Sequence, residues 1–408
     1  MQDLKSLLFF TESYPTGWSD LFIEPEAEYL RNKFNKIYVF PLNKREGKLA
    51  CPETFNVIHF NHYTAHNRIK TFFNYFRPIC YILFYELLFS PHRFKYIKKL
   101  PHYFNFLLAR VHDAFLLEMQ LKKIVNLKSD NVVFYSYWFN LWMMDLSILK
   151  LKYPNLNLIS RVHGGDYDES RRKEGFYLYR HFQIKQVDKV VSISNYGVNY
   201  LKKQFPKFQS KFSCSYLGVF NHGINPAKAN EDIYTIVSCS TLIPLKRVHL
   251  LIYALSKISI PVKWYHFGTG PLEVELKQKA NLLPQNVKYE FKGHMSNEAI
   301  LEFYKNNHIS LFVNTSSVEG IPVSIMEAIS FGIPIAAPAI CGIPEIVNEK
   351  TGYLLNSDFT TAELCDVITN YYGLSENDKI KLRQSSRNFW KECFNASLNF
   401  ESFVSNLE

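Results

Sequence analysis

The segment from residue 309 to residue 354 restricts the fold more than any other part of this chain. Residues 309–313 form a short apolar run of strand length, bounded by polar residues. Pro322 suits entry into a helix because its φ is already helical, while Gly332 favours the left-handed conformation that ends one. A second apolar run follows at 333–337. The order strand, loop, helix, strand predicts a parallel α/β sheet.

Two glutamates accompany the start of this predicted helix. Glu319 lies in the loop before it, and Glu327 lies about two turns inside it. The helix start offers free N–H groups and a positive dipole that suit an anion, and Gly320 lets a ligand approach the backbone. A carboxylate accepts hydrogen bonds from hydroxyl groups such as those of sugars and ribose. For two isolated glutamates, however, a helix cap and a solvated helix face are the ordinary interpretation.

A longer pattern favours the ligand-binding interpretation. Glu-Gly-Ile-Pro at 319–322 is followed by Glu-Ala at 327–328, Gly-Ile-Pro at 332–334, Cys-Gly-Ile-Pro-Glu-Ile-Val at 341–347 and Thr-Gly-Tyr-Leu-Leu at 351–355. This ordered string closely resembles the C-terminal donor-site signature of glycosyltransferase family 4, whose members are retaining enzymes. The resemblance implies an α/β chain with the GT-B fold, in which two Rossmann-like parallel-sheet domains face a cleft.

The length of the chain agrees with two domains. Its 408 residues exceed one typical domain, and the polar, turn-rich stretch 218–232 predicts a linker. We therefore expect an acceptor-binding domain at 1–220 and a nucleotide-sugar-binding domain at 221–385. A C-terminal helix at 386–408 is expected to cross back to the first domain, as GT-B chains do.

The resemblance also implies roles for individual residues. Glu327 would hold the ribose hydroxyls, and Glu319 would bind hydroxyls of the donor sugar. Lys246 would bind the diphosphate and stabilise it as the leaving group, together with the helix start at 320–322, that is Gly320, Ile321 and Pro322. A Lys beside free N–H groups at a helix start is a sound phosphate site.

Other positions match the family less closely. The family has an Arg near the diphosphate where this chain has Thr241, and the neighbouring Arg247 is a candidate replacement. His294 and Met295 fall in the turn that lies along the nucleobase in the family. Gly17 falls in the loop after the first strand.

His163 is the candidate site residue of the first half. It follows the predicted strand 157–162, and ligands of open α/β sheets bind at the carboxyl ends of strands. A lone His is more often a structural residue, but the resemblance to the family's His-Gly turn indicates a donor-sugar contact. Asp166 and Asp168 formally match an Asp-x-Asp metal pattern. We interpret them as loop or acceptor-side residues, since GT-B enzymes usually need no metal.

Neither an organic cofactor nor a metal site is expected. The first strand lacks the Gly-x-Gly-x-x-Gly that nicotinamide and flavin sites require. The seven cysteines are scattered without Cys-x-x-Cys spacing, which argues against zinc and a disulfide framework and fits a reducing cytosol. The N-terminus is too quickly polar for a signal peptide, and no apolar run reaches the length of a membrane span. The expected donor is a nucleoside diphosphate sugar, such as a UDP- or GDP-sugar.

Basic residues and aromatic rings are concentrated in one segment. Residues 61–128 contain eleven Lys and Arg against three acids, interleaved with many Phe and Tyr. Helices of this composition bind the headgroup layer of anionic membranes, although aromatic helices packed on a sheet with a solvated basic face are an alternative. Nucleic acid is not expected, because no recognised binding module accompanies the charge.

The expected function is retaining, metal-independent sugar transfer to a hydroxyl of a glycan acceptor. A lipid-linked glycan intermediate of cell-surface polysaccharide assembly suits the basic, aromatic first half, and the expected location is the inner face of the cell membrane. A non-catalytic sugar-nucleotide sensor on the same fold is the main alternative, because of Thr241. A periplasmic-type sugar binder is disfavoured by the Glu319 and Glu327 pair and the absence of an export signal.

Overall fold

The structure is a computed structural model of the chain. It describes residues 5–16, 23–47, 51–60, 68–129, 131–169, 172, 174–226 and 233–407.

The chain divides into two compact units. The first unit comprises Met1–Ser215 with Phe400–Glu408, and the second comprises Tyr216–Asn399. The sequence-based boundaries lay at 220/221 and 385/386. The second boundary differs because the helix that contains residue 386 packs inside the second unit.

The first unit is built on a seven-stranded parallel sheet with the order β3-β2-β1-β4-β5-β6-β7 among the described residues. The strands are β1 (Ser6–Thr11), β2 (Lys36–Pro41), β3 (Phe55–Val57), β4 (Val132–Ser136), β5 (Asn157–Val162), β6 (Lys189–Ser192) and β7 (Phe212–Cys214). The helices are α1 (Glu24–Lys33), α2 (Arg68–Phe89), α3 (Arg93–Lys98), α4 (Leu100–Leu121), α5 (Leu141–Lys150), α6 (Gly164–Tyr167), α7 (Arg180–Gln186) and α8 (Asn195–Gln204), followed by a 3₁₀ helix at Pro206–Lys211.

Both faces of this sheet are buried. Along β1, Leu8 and Phe10 belong to one apolar cluster, whereas Leu7 and Phe9 belong to another. Successive side chains of a strand point to opposite faces, so each cluster covers one face. Burial on both faces explains why the strands are continuous apolar runs rather than alternating ones.

The described part of the second unit repeats this architecture with six parallel strands in the order β10-β9-β8-β11-β12-β13. The strands are β8 (Tyr234–Cys239), β9 (Val262–Phe267), β10 (Val287–Gly293), β11 (Leu311–Val313), β12 (Ile335–Pro338) and β13 (Gly352–Leu355). The helices are α9 (Val248–Leu255), α10 (Glu273–Ala280), α11 (Asn297–Asn306), α12 (Val323–Ser330), α13 (Thr361–Tyr372) and α14 (Glu376–Cys393), with 3₁₀ turns at Pro244–Lys246 and Ile343–Glu345.

The strand, loop, helix, strand order predicted for 309–354 is present as β11, α12 and β12. Pro322 is the N-cap residue of α12 and not its first helical residue. Gly332 has a φ of +75° after the end of α12, which confirms the predicted left-handed terminator. A Cβ at this glycine would lie 2.9 Å from the carbonyl oxygen of Arg383 in α14. The end of α12 therefore depends on a residue without a side chain.

The C-terminal region passes from the second unit to the first. The guanidinium of Arg383 donates to the carbonyl of Ile309 at 2.7 Å, which ties α14 to the second sheet. The last helix, α15 (Ala396–Ser405), enters the first unit at Phe400. There the ring of Phe403 lies 3.8 Å from the guanidinium carbon of Arg161.

No helix in the described part of the chain is long and apolar enough to cross a membrane.

Candidate functional site

The strand order of the second sheet reverses between β8 and β11. β9 and β10 lie on one side of this pair, and β12 and β13 lie on the other. Ligands of open α/β sheets bind where such a reversal leaves a crevice at the carboxyl ends of the strands. The two loops that begin there are 240–247, after β8, and 314–322, after β11.

A lysine and a glutamate from these two loops form an ion pair. Lys246 Nζ donates to Glu319 Oε1 at 2.5 Å, although the residues are 73 positions apart. The hydroxyl of Ser316 donates to the same carboxylate oxygen at 2.6 Å. The side chains of Lys246 and Glu319 are 23% and 14% exposed, so the pair is accessible to a ligand but shielded from most solvent screening.

Backbone contacts hold the two loops together. Arg247 donates from Nε to the carbonyl of Thr315 at 2.8 Å and from Nη2 to that of Ser316 at 3.0 Å. The hydroxyl of Thr315 donates back to the carbonyl of Lys246 at 2.7 Å. Arg247 also has a left-handed φ of +47° at the N-cap of α9. These contacts join the loop that carries Lys246 to the loop that carries Glu319.

Glu327 lies on the inner side of the same region. It is 7% exposed and accepts a hydrogen bond from Nδ2 of Asn297 at 2.5 Å. Burial raises the pKa of Glu327 from 4.5 to about 7, against the opposing effect of the Asn297 hydrogen bond. The thiol of Cys239, at the end of β8, has its pKa raised to about 12 by burial and then by the Glu327 charge, while the Lys246 charge opposes this rise. Cys239 is therefore within electrostatic range of both site residues.

Two glycines allow these loops to pack closely. A Cβ at Gly342 would lie 2.6 Å from the carbonyl oxygen of Gly320. A Cβ at Gly268 would lie 2.0 Å from the carbonyl oxygen of Ser240, and its φ of +131° is unfavourable for other residues. Both positions bring a neighbouring loop against the loops that carry Glu319 and Lys246.

The remaining predicted donor-site residues, apart from Gly17, lie in loops of the second unit. Thr241 is exposed in the loop after β8, whereas Ile321 is 3% exposed. Exposed His294 and half-buried Met295 follow β10. They directly precede the N-cap Ser296 and Asn297, which contacts Glu327. Gly17 lies outside the described residues.

His163 lies in the first unit, at the end of β5. Its ring centroid is 4.0 Å from that of Trp138 and 5.0 Å from that of Tyr137. Its backbone N–H donates to Oδ2 of Asp166 at 2.8 Å, which caps α6. His163 is 8% exposed, and its Nδ1 lies 3.4 Å from Oδ2 of Asp166. Its buried Nε2 has no hydrogen-bond partner among the described residues, and such a ring nitrogen is suited to a ligand hydroxyl.

The Asp-x-Asp pattern does not form a metal cage in the described structure. The carboxylate of Asp166 is used in capping α6, and Asp168 is half-buried. No group of three or more His, Cys, Asp and Glu side chains in the described ranges could hold a metal ion.

Sequence reasoning missed a large cavity in the first unit, which we call the first-unit cavity. Its volume is about 1480 Å³, and it lies where β1, β2, β4 and β5 end. Its aromatic and amide lining residues are Phe106, Trp138, Phe139, Phe176, Tyr177, Asn43, Asn105, Asn140 and Gln183, and its charged ones are Glu12, Arg110, Asp113, Asp166, Arg172, Glu174 and Arg180. Only the tertiary fold brings them together, so no short motif could have indicated the cavity. Asn297 and Ser316 were also missed, since single polar residues near a helix start carry no specific signal.

Part of the chain matches a known family. Residues 223–385 match the family model Glycosyl transferases group 1. A putative colanic acid biosynthesis glycosyltransferase, WcaL of Escherichia coli, is 27% identical over 205 residues, which are 47% of this chain and 50% of that protein. The gpi3 subunit of the phosphatidylinositol N-acetylglucosaminyltransferase of Schizosaccharomyces pombe is 26% identical over 152 residues, 36% of this chain and 33% of that protein. The chain thus spans between a third and a half of these relatives.

Solved structures resemble the whole chain. The lipopolysaccharide outer core galactosyltransferase WaaB has a TM-score of 0.67 at 16% identity, with 98% of each chain covered. Anabaena HepE in complex with UDP has a TM-score of 0.69 at 14% identity, covering 98% of this chain and 99% of that chain. The chain therefore has the predicted fold of two Rossmann-like α/β domains of the GT-B type, and its second unit contains a region similar to the Glycosyl transferases group 1 family.

Proposed function

We propose that this chain is a retaining glycosyltransferase of family 4 that transfers a sugar from a nucleoside diphosphate sugar to a hydroxyl of a glycan acceptor. One observation carries the proposal: Lys246 pairs with Glu319 at the reversal point of the second sheet, inside the matched residues 223–385. Glu327 and Lys246 both lie within electrostatic range of Cys239, at the end of β8. Similar structures include HepE bound to UDP and to UDP-glucose, which supports a nucleotide sugar as the donor.

Lys246 supplies the charge that the reaction needs. Cleavage of the bond to the sugar leaves negative charge on the diphosphate, and a positioned cation stabilises that charge most as the bond breaks. The start of α12 adds backbone N–H donors and the helix dipole. These groups neutralise the diphosphate in the role that a metal ion has in other transferases.

The carboxylates and the imidazole orient the donor. Glu327 accepts hydrogen bonds from the ribose hydroxyls, and Glu319 accepts one from the donor sugar after Lys246 turns to the phosphate. His163 binds a sugar hydroxyl through Nε2, which has no hydrogen-bond partner among the described residues. The departing phosphate takes the proton of the acceptor hydroxyl, so no side chain acts as the general base.

The ligand test uses a panel of nucleoside diphosphates. We expect one of them to raise the melting temperature, since a ligand at 100 times its dissociation constant stabilises a protein by about 2.7 kcal/mol. Chelation with EDTA is expected to leave both the rise in melting temperature and the rate of sugar transfer unchanged. No stabilisation by any nucleotide would contradict the proposal. Stabilisation without sugar transfer to any glycan acceptor would favour the non-catalytic sensor, which the Thr241 position also suits.

The acceptor is proposed to be a lipid-linked glycan at the cytosolic face of the membrane. Similarity to WcaL, whose name refers to colanic acid biosynthesis, supports a polysaccharide intermediate. The first unit adds a physical reason, because α2 and α3 expose large apolar side chains. Phe84 is 64% exposed and Phe94 67% exposed. We call this surface the basic aromatic face; it consists of Phe76, Phe84, Leu88, Phe89, Phe94 and Ile97 with Arg77, Arg93, Lys95, Lys98 and Lys99.

The charge of the basic aromatic face suits anionic lipid. Phe76, Phe84 and Leu88 follow a spacing of four or eight residues along α2, which aligns them on one side of the helix. Glu86 is the one acid in residues 68–112 and is 1% exposed. Each exposed cation near an anionic bilayer contributes about 1 kcal/mol, and aromatic rings favour the headgroup layer.

Vesicle flotation tests the basic aromatic face. The protein is expected to float with phosphatidylglycerol vesicles at low salt and to stay behind with phosphatidylcholine vesicles or at high salt, because screening weakens the attraction. The double variant Phe84→Ser/Phe94→Ser should lose most of the binding. Leu282→Ser is the matched control, since Leu282 is 82% exposed in the second unit. Equal flotation of the double variant and the wild type would contradict membrane binding by the basic aromatic face.

A further inference from the structure

A buried arginine borders the first-unit cavity. Arg180 begins α7 and is 7% exposed. Its Nη1 and Nη2 donate to the carbonyl of Phe139, each at 3.2 Å, whereas its buried Nε has no hydrogen-bond partner in the structure as described. The guanidinium carbon lies 4.1 Å and 4.4 Å from the ring centroids of Phe139 and Tyr177. Arg180 is thus held by two rings and one carbonyl.

The charge of Arg180 lacks a close counter-charge. Buried charges are normally paired, because removing an unpaired ion from water is costly. Arg110, on the same cavity, follows that rule and pairs with Asp113 and with Asp145. Among the described residues no carboxylate lies within ion-pair distance of Arg180, and Asp166, Glu169 and Glu86 interact with it only at longer range. Burial lowers the pKa of Arg180 to about 10, so the group stays charged at neutral pH.

A second cation lies beside the first. The guanidinium carbon of Arg172 is also 4.4 Å from the ring centroid of Tyr177, and its charge lowers the pKa of Arg180. Both arginines line the first-unit cavity. Two cations beside the same ring repel each other, and an anion that contacts both would offset that repulsion while pairing Arg180.

We infer that Arg180 and Arg172 bind an oxyanion carried by the acceptor, whose sugar rings lie on the aromatic and amide lining of the first-unit cavity. The inference rests on the proposed function for the identity of the ligand as an acceptor. Guanidinium groups bind the oxygens of a phosphate or a carboxylate through paired N–H donors. The oxyanion is then either a phosphate of a lipid carrier or the carboxylate of an acidic sugar.

Direct binding to the full chain tests this site without any need for turnover. The two charged probes are farnesyl phosphate, for a lipid phosphate, and methyl glucuronide, for an acidic sugar. Their neutral matches are farnesol and methyl glucoside. Binding is followed by tryptophan fluorescence, because Trp138 lines the cavity. UDP binding is measured separately, so failure of the proposed function and failure of this inference are distinguishable.

At least one charged probe is expected to bind roughly tenfold or more tightly than its neutral match, and the probe that does so identifies the source of the oxyanion. Arg172→Gln and Arg180→Lys should each weaken that binding roughly 10- to 100-fold, because each variant loses a hydrogen bond between charged groups. Arg31→Gln, at an exposed arginine of α1 outside the cavity, should leave it unchanged. Equal binding of charged and neutral probes, or unchanged affinity in Arg172→Gln, would overturn the inference. Arg172 is exposed, so its variant remains informative if Arg180→Lys does not fold.

Discussion

Replacing Lys246 with methionine is expected to reduce the rate of sugar transfer roughly 100- to 1000-fold, the range found when one preorganised electrostatic contact to a developing charge is removed. Nζ of Lys246 lies 2.5 Å from Oε1 of Glu319. Methionine keeps most of the side-chain volume and removes the charge, so a change in rate reports electrostatics rather than packing. The rate constant is measured with the donor at saturation, because loss of transition-state stabilisation lowers kcat.

Lys277→Met is the control for this variant. Lys277 forms a surface ion pair with Glu273 at 2.7 Å, and such pairs contribute little to stability. We therefore expect the control to transfer sugar at the normal rate. Near-normal transfer by a folded Lys246→Met protein would contradict the proposed mechanism.

The pairing of Lys246 with Glu319 adds a second measurement. Because the two side chains contact each other, the effects of Lys246→Met and Glu319→Gln should not add in the double variant. Glu319→Gln alone leaves the lysine free for the diphosphate but replaces the charged carboxylate that accepts from the donor sugar with a neutral, weaker amide acceptor. Additive effects would indicate that the two residues act independently.

The affinity for the nucleoside diphosphate is expected to rise about tenfold between pH 6 and pH 8, as a carboxyl group with a pKa near 7 becomes ionised. Burial raises the pKa of Glu327 to about 7. Ribose hydroxyls donate hydrogen bonds to an ionised carboxylate, which has acceptor oxygens only. The nucleotide therefore binds the form with ionised Glu327. Molecules in which Glu327 is still protonated must release that proton on binding.

Glu327→Gln separates this effect from titration of the phosphate itself. The phosphate also loses a proton in this range, but it does so equally with both proteins. The variant should bind roughly 10- to 100-fold more weakly at pH 8, since a hydrogen bond to a charged group is lost. Its affinity should show only the remaining pH dependence of the nucleotide. A pH profile identical to that of the wild type would rule out the role of Glu327.

The stability of the ligand-free protein should fall as pH rises, whereas the affinity for the nucleotide rises. The pKa of Glu327 is higher in the folded state than the ordinary value of 4.5, so the folded protein holds more protons between about pH 4.5 and pH 7. The contribution of this group to the free energy of unfolding therefore falls as pH rises through that window. Melting temperatures measured without nucleotide should show a smaller fall for Glu327→Gln than for the wild type.

Much of the second unit was predictable because its signals are local. The apolar run before Asn314, the helix entry at Pro322 and the terminator Gly332 depend on the backbone preferences of neighbouring residues. These preferences predicted β11, α12 and β12 to within two residues. The extent of α14 in the second unit was not predicted, since it depends on contacts such as Arg383 with Ile309.

The sequence by itself determined the α/β class of this protein and indicated Glu319, Glu327 and Lys246 through the resemblance of the segments around them to a known donor-site signature. Only the tertiary structure decided that Lys246 contacts Glu319, that Arg247 supports the loop beside them and that the first unit contains a cavity bordered by Arg180. The physical reason is that these features join residues from separate strands. Their distances depend on sheet order and packing, which no short stretch of sequence contains.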